Sequence, residues 1–155
     1  MRPVPLDETD RELLRLLQRD NRRTLRALAA ELGVSAPTCL RRVRRLESLR
    51  VIRSHAALLD PARIGLGVMA FVEVTLAQAS GSDMLAFERR MERCTEVLQC
   101  AELAGEVDYL VTVATRGMPE FAEFTRRYLA GDRRVRSYRS LLVLRQTKTE
   151  HVLPV

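Results

Sequence analysis

Cysteine and histidine are scarce: three cysteines and two histidines in 155 residues. Cys39, Cys94 and Cys100 are odd in number and form no C-x-x-C pair, so they read as reduced thiols of a cytoplasmic protein. His55 and His151 fall in different halves with no ligand cluster around either, so neither a metal nor a cofactor is expected. No apolar run approaches the roughly 20 residues that a membrane span requires. The opening "MRPVPLDETD" turns acidic before an apolar segment can begin, so no secretory signal is expected there. Repeats and low-complexity segments are missing. Serine, histidine and aspartate all occur, but no nucleophile elbow or other catalytic frame surrounds them. No catalytic residue is therefore assigned and no enzyme activity is expected. Gly65-Leu66-Gly67 with Ala70 fits G-x-G-x-x-A. A dinucleotide-binding turn must open a helix, whereas this one opens a strand, so a hinge is expected.

What is present is positive charge in one place. The net charge is +6. Residues 1–60 carry thirteen Arg against eight Asp and Glu, whereas residues 61–155 carry thirteen Arg and Lys against twelve. Within the first part, Ser35 to Arg53 holds six Arg against Glu47 alone. A localised basic patch is the electrostatic footprint of a nucleic-acid binder.

Apolar spacing organises the chain into two parts, residues 1–60 and 61–155. In the first, Leu13, Leu14 and Leu17 form a helical stripe behind an Asp7 N-cap. Thr24 caps a second helix with Leu25, Leu28, Ala29 and Leu32 on one face, and Gly33 ends it. Ser35 caps a third, with Pro37 tolerated in its first turn. Residues 51–60 turn β-rich and lead into a linker. In the second part, strands over 68–76, 96–103, 109–115 and 135–146 alternate with helices opening at 80–83 and at Met118. This β-α-β-β-α-β order is the split ferredoxin-like arrangement, so the fold class is α+β. Its helices cover one face of an antiparallel sheet, and the bare face calls for a second copy.

At 100° per residue, Cys39, Val43 and Leu46 fall on one side of the third helix as a core stripe. Cys39 is therefore a small apolar packing residue. The opposite side holds Pro37, Thr38, Arg41, Arg44, Arg45 and Ser48, with Arg42 on the flank and no acid among them. A merely solvated helix mixes charge signs at i,i+4. Four arginines without an acid repel one another and call for a polyanion. Helix two, the short turn "GVS" and helix three form a helix-turn-helix, which places the N-terminal half of helix three in the major groove of double-stranded DNA. Pro37, Thr38 and Arg41 are then best placed for base edges, next to the Ser35 cap. Arg42, Arg44 and Arg45 are assigned to phosphates, with Arg22 and Arg23 adding contacts from the start of helix two.

The sequence as a whole resembles the Lrp/AsnC feast/famine regulators. The resemblance rests on "LDETD", "LAAELGVS", "RVRRLE", the "LLDP" that ends the linker, and "GEVDY". It implies a winged helix-turn-helix with a linker strand over residues 1–60. It also implies an effector-binding and oligomerisation domain over 61–155 that forms a homodimer, with an octamer as the larger assembly such proteins build. An amino acid or similar metabolite is the implied effector. The turn Ala104–Asp108 is the small-molecule candidate: Gly105 allows close backbone approach and Asp108 can accept an α-ammonium. The other reading of this turn is a plain β-turn in which Asp108 caps its own backbone. Tyr109 matches the family's motif, and Tyr138 and Ser140 align near its pocket. Two departures stand out. Arg50 occupies a position where relatives place glycine, and Glu106 replaces a shorter residue in the turn. Rival readings are a regulator that works without an effector and an enzyme like the siroheme decarboxylases, which share this architecture.

Overall fold

The computed structural model describes residues 3–78, 80–149 and 152–155, and His151 lies outside them. Two compact units result, Met1–Leu58 with Lys148–Val155 and Leu59–Thr147.

The first unit holds three helices: α1 (Glu8–Arg19), α2 (Leu25–Glu31) and α3 (Ala36–Ser48). Each starts where its cap predicts. Asp7 and Asp10 form a reciprocal capping box, each carboxylate accepting from the other residue's backbone N–H. Thr24 accepts from the N–H of Ala27, and Ser35 from that of Thr38. Leu13, Leu14, Leu16, Leu28, Ala29, Cys39 and Leu46 make the core. Cys39 is wholly buried, as its place in the stripe requires, and burial pushes its thiol up.

Two helix ends use the same device. After α2, Gly33 takes φ 65°, its N–H bonds the carbonyl of Ala30, and the N–H of Val34 bonds that of Ala29. After α3, Arg50 takes φ 55°, with its N–H on Glu47 and the N–H of Val51 on Leu46. Both are Schellman closures, which favour glycine at the left-handed position. Arg50 is the one non-glycine residue with positive φ among the described residues. Its Cβ costs about 1 kcal/mol there. Arg50→Gly should therefore raise the unfolding free energy by about 1 kcal/mol, read as a higher denaturant midpoint at unchanged slope. An unchanged or lower midpoint would show that the arginine side chain compensates for its backbone.

Two expectations change here. Residues 51–60 pair with no strand among the described residues, so the linker strand expected there is not formed among them. A strand needs a hydrogen-bonding neighbour, and among the described residues none lies beside it. Residues 148–155 join the first unit rather than the second. Val155 packs on the helical core, and the Gln18 side-chain amide bonds both the N–H (2.7 Å) and the carbonyl (3.2 Å) of Leu153. Arg15 Nε donates to the Val155 carbonyl at 2.9 Å.

The second unit contains β1 (Val68–Leu76), α4 (Gly81–Glu92), β2 (Val97–Glu102), β3 (Tyr109–Thr115), α5 (Met118–Phe124) and β4 (Val135–Leu142). A π-type turn, Thr125–Ala130, continues α5. The strands form one antiparallel sheet in the order β2-β3-β1-β4. Alternation decides the faces. Ala70, Val72, Val74, Val111 and Val113 are buried with Phe87, Phe121, Phe124 and Leu129. Phe71 and Leu141 are register partners on the other face, and both are exposed. Gly65 (φ 83°) closes a short 3-10 turn ahead of β1, so the glycine motif opens a strand. No helix of the described residues is long and apolar enough to cross a membrane.

Candidate nucleic-acid interface

The exposed side of α3 does not treat its arginines alike. Arg41 and Arg44 are exposed, with no side-chain partner among the described residues. Arg42 turns back onto α1. Its Nη1 lies 2.7 Å and 2.9 Å from the Asp7 carboxylate oxygens and 2.8 Å from Asp10 Oδ1. Arg45 Nη2 donates to the other oxygen of Asp10. The Asp10 side chain is 1% exposed, against 24% for Arg42 and 41% for Arg45. The Arg42 guanidinium and the backbone N–H of Asp10 hold the Asp7 carboxyl below the usual carboxylate range. Asp7 and Asp10 in turn bind Arg42 more firmly in its charged form. Arg42 Nε is buried without a partner among the described residues. These two arginines fix α3 against the start of α1, a structural part that phosphate binding does not require of them.

The other expected contacts divide in the same way. Ser35 Oγ is the α3 cap and donates to Thr38 Oγ1 at 2.9 Å, beside exposed Pro37. Arg23 pairs with Glu31 at 2.6 Å, whereas Arg22 is 90% exposed and makes a long contact of 3.4 Å with Asp20. Arg26, Arg50 and Arg53 are exposed and have no side-chain partner among the described residues. The sequence pattern singles out neither Arg26 nor Arg53 as a contact, whereas Arg50 adds charge beside the DNA face. Arg26 carries a signal all the same, since it lies two residues past the Thr24 cap and off the stripe Leu25, Leu28, Ala29.

The expected effector residues are not gathered into one site. Tyr109 lies in the core, 1% exposed. Its ring sits 4.9 Å from that of Phe87, and its hydroxyl donates to Glu88 at 2.9 Å. It alternates with Val111 and Val113 on the helix-covered face, so it cannot line an open turn. Asp108 Oδ2 accepts from the N–H of Leu76 at 2.6 Å and closes the end of β1. Ala104 and Gly105 are exposed, and the space beside Gly105 is open. Ser140 pairs with Val72 in the register, two residues along β4 from Tyr138. Tyr138 does meet the turn. With Glu73, Thr75, Glu106, Val107, Ser137 and Arg139 it lines a groove of about 310 Å³, where Arg139 bonds Glu73 at 2.7 Å. Glu73 and Arg139 are register partners, a pairing invisible before the strands are aligned.

Comparisons with known proteins agree with this architecture. The AsnC-type helix-turn-helix domain matches residues 6–47 and the Lrp/AsnC ligand binding domain matches residues 69–153. The chain belongs to the Lrp/AsnC family of transcriptional regulators. The Leucine-responsive regulatory protein of Rhizobium meliloti is 37% identical over 94% of this chain and 93% of its own length. The DNA-binding transcriptional activator DecR of Escherichia coli is 35% identical over 97% and 99%. Among solved structures, a transcriptional regulator–L-Met complex from Neisseria meningitidis superposes with a TM-score of 0.90 at 33% identity, covering 97% of each chain. These relatives are named as regulators and not as enzymes, so the decarboxylase reading is set aside.

Proposed function

We propose that this Lrp/AsnC regulator reads a specific duplex through α3, with Thr38 and Arg41 at base edges and Arg44 on phosphate. Arg22, Arg26, Arg50 and Arg53 extend the phosphate contacts. The observation that carries this is the pair of exposed arginines, without a side-chain partner among the described residues, on an acid-free helix face next to a helix-turn-helix turn built on Gly33. Arg42 and Arg45 leave the contact set, because Asp7 and Asp10 hold them. The domain division is that of the two compact units, a DNA-binding head and an effector domain. The chain acts in the cytoplasm as a homodimer built through the sheet face that carries Phe71 and Leu141, with an octamer as the larger assembly.

An amino acid is the proposed effector, supported by the L-Met bound to the Neisseria meningitidis relative. Its place is the groove lined by Tyr138, Glu106 and the Glu73–Arg139 pair, beside Gly105. The effector-independent reading draws support from Asp108 and Tyr109, whose polar groups already serve the fold. Melting temperatures of the intact chain across the twenty amino acids, with assembly size measured alongside, separate the two. A ligand that binds only the native state adds about 2.7 kcal/mol at 100 times its Kd. One amino acid or a few related ones should raise the melting temperature, and Arg139→Ala should abolish the shift. A flat panel would leave a regulator without an amino-acid effector.

A further inference from the structure

A second cluster of arginines lies in the other unit, far along the sequence from the helix-turn-helix. The groove beside the end of α4 has a volume of about 470 Å³ and is lined by Ala86, Arg89, Arg90, Arg93 and Tyr128. No acid is among these residues. Arg89 and Arg93 stand four apart, both exposed and without a side-chain partner among the described residues. Like charges at that spacing repel, which offsets what either gains from the negative end of the helix.

Arg90 between them is held in place. Its Nη1 donates to Asp132 Oδ2 at 3.2 Å, its Nη2 donates to the Arg127 carbonyl, and its guanidinium lies 5.3 Å from the centre of the Tyr128 ring. The Arg127 guanidinium lies 5.3 Å from the same ring. Asp132 is buried and also bonds Arg134, so one carboxylate serves two arginines and leaves positive charge at the groove.

We propose that this groove binds a small molecule carrying two or more phosphate groups. Arg90 supplies a fixed guanidinium and Arg89 and Arg93 close on the ligand from either side. Guanidinium groups match phosphate oxygens in pairs, and three arginines around one small open groove suit a compact polyphosphate. The site is separate from the proposed effector groove and does not depend on it.

The test is titration of the intact chain with inorganic tripolyphosphate by calorimetry at fixed ionic strength. Wild type should bind, and Arg89→Ala with Arg93→Ala should weaken binding at least tenfold while leaving the ligand-free melting temperature unchanged. Arg41→Ala with Arg44→Ala should leave it intact, which separates the groove from the DNA face. Equal affinity in wild type and the Arg89/Arg93 variant overturns the proposal. So does loss of binding in the Arg41/Arg44 variant instead, which would show the arginines of α4 serving only the negative end of their helix. Duplex DNA is the second arm. Unchanged DNA affinity in the Arg89/Arg93 variant supports a free phosphorylated ligand. A fall in DNA affinity with a shallower salt dependence assigns the groove to the duplex backbone and overturns the small-molecule assignment.

Discussion

Replacing Arg41 and Arg44 together with alanine should cut DNA affinity by about two orders of magnitude while leaving the melting temperature of the protein unchanged. Neither side chain has a partner within the described residues, so folding does not depend on them. A base-edge contact by Arg41 is worth about 1–3 kcal/mol of discrimination, and each phosphate contact adds affinity that salt removes. Arg41→Ala alone should relax sequence preference, and Arg44→Ala alone should weaken all duplexes alike. Anisotropy titrations on an enriched duplex and on its scrambled counterpart separate the two. Equal loss of specific and scrambled binding in Arg41→Ala would move that residue from bases to phosphate.

Asp10→Ala should have the opposite profile and lower the unfolding free energy by about 2–3 kcal/mol. Removing one member of a buried ion pair costs about 3–5 kcal/mol when the other charge stays buried. Here Arg42 and Arg45 keep 24% and 41% of their side chains exposed, so part of their charge finds water and the cost is lower. The substitution also removes half of the α1 capping box. Denaturant unfolding measures the loss. Arg42→Ala should destabilise in the same way and leave the salt dependence of DNA binding unchanged. A change below 0.5 kcal/mol for Asp10→Ala, the ordinary range for surface sites, would mean that the pairing with α3 contributes nothing.

The contrast between Arg41 and Arg42 marks where sequence reading reaches its limit. Caps, stripes and turn glycines act over three or four residues, so Asp7, Thr24, Gly33, Ser35 and the Cys39–Leu46 stripe can be placed on their elements directly. The β-α-β-β-α-β succession is legible in the same way, whereas the sheet order β2-β3-β1-β4 requires the strands to be paired. Arg42 and Arg45 cannot be sorted that way. A helical projection shows which side of α3 they occupy, but not that Asp7 and Asp10, more than thirty residues earlier, pack against that flank. Tyr109 misleads for a different reason. Its alternation with Val111 and Val113 is present in the sequence and points to the core, but the motif it shares with relatives draws it toward the turn. The strand-forming residues of the linker are Val51 and Ile52, and both pack on the helical core; residues 53–60 hold no β-branched or aromatic residue and have no ladder partner among the described residues. Residues 152–155 are too short for any periodicity, so their docking on Gln18 and Arg15 leaves no trace in the pattern. Arg50 is legible as a residue in a glycine position, and its φ of 55° bears that out.

The proposed division of α3 gives DNA binding to Arg41 and Arg44 and withholds it from Arg42 and Arg45. Its most direct test is the slope of log K against log salt for wild type, Arg44→Ala and Arg42→Ala on a duplex enriched from genomic DNA by the protein itself. Removing one phosphate neutralisation per protomer should flatten the slope by about 0.9 for each protomer bound, about 1.8 for a dimer. A flatter line is expected for Arg44→Ala and a line parallel to wild type for Arg42→Ala. Parallel lines for wild type and Arg44→Ala, with flattening confined to Arg42→Ala, would contradict the claim.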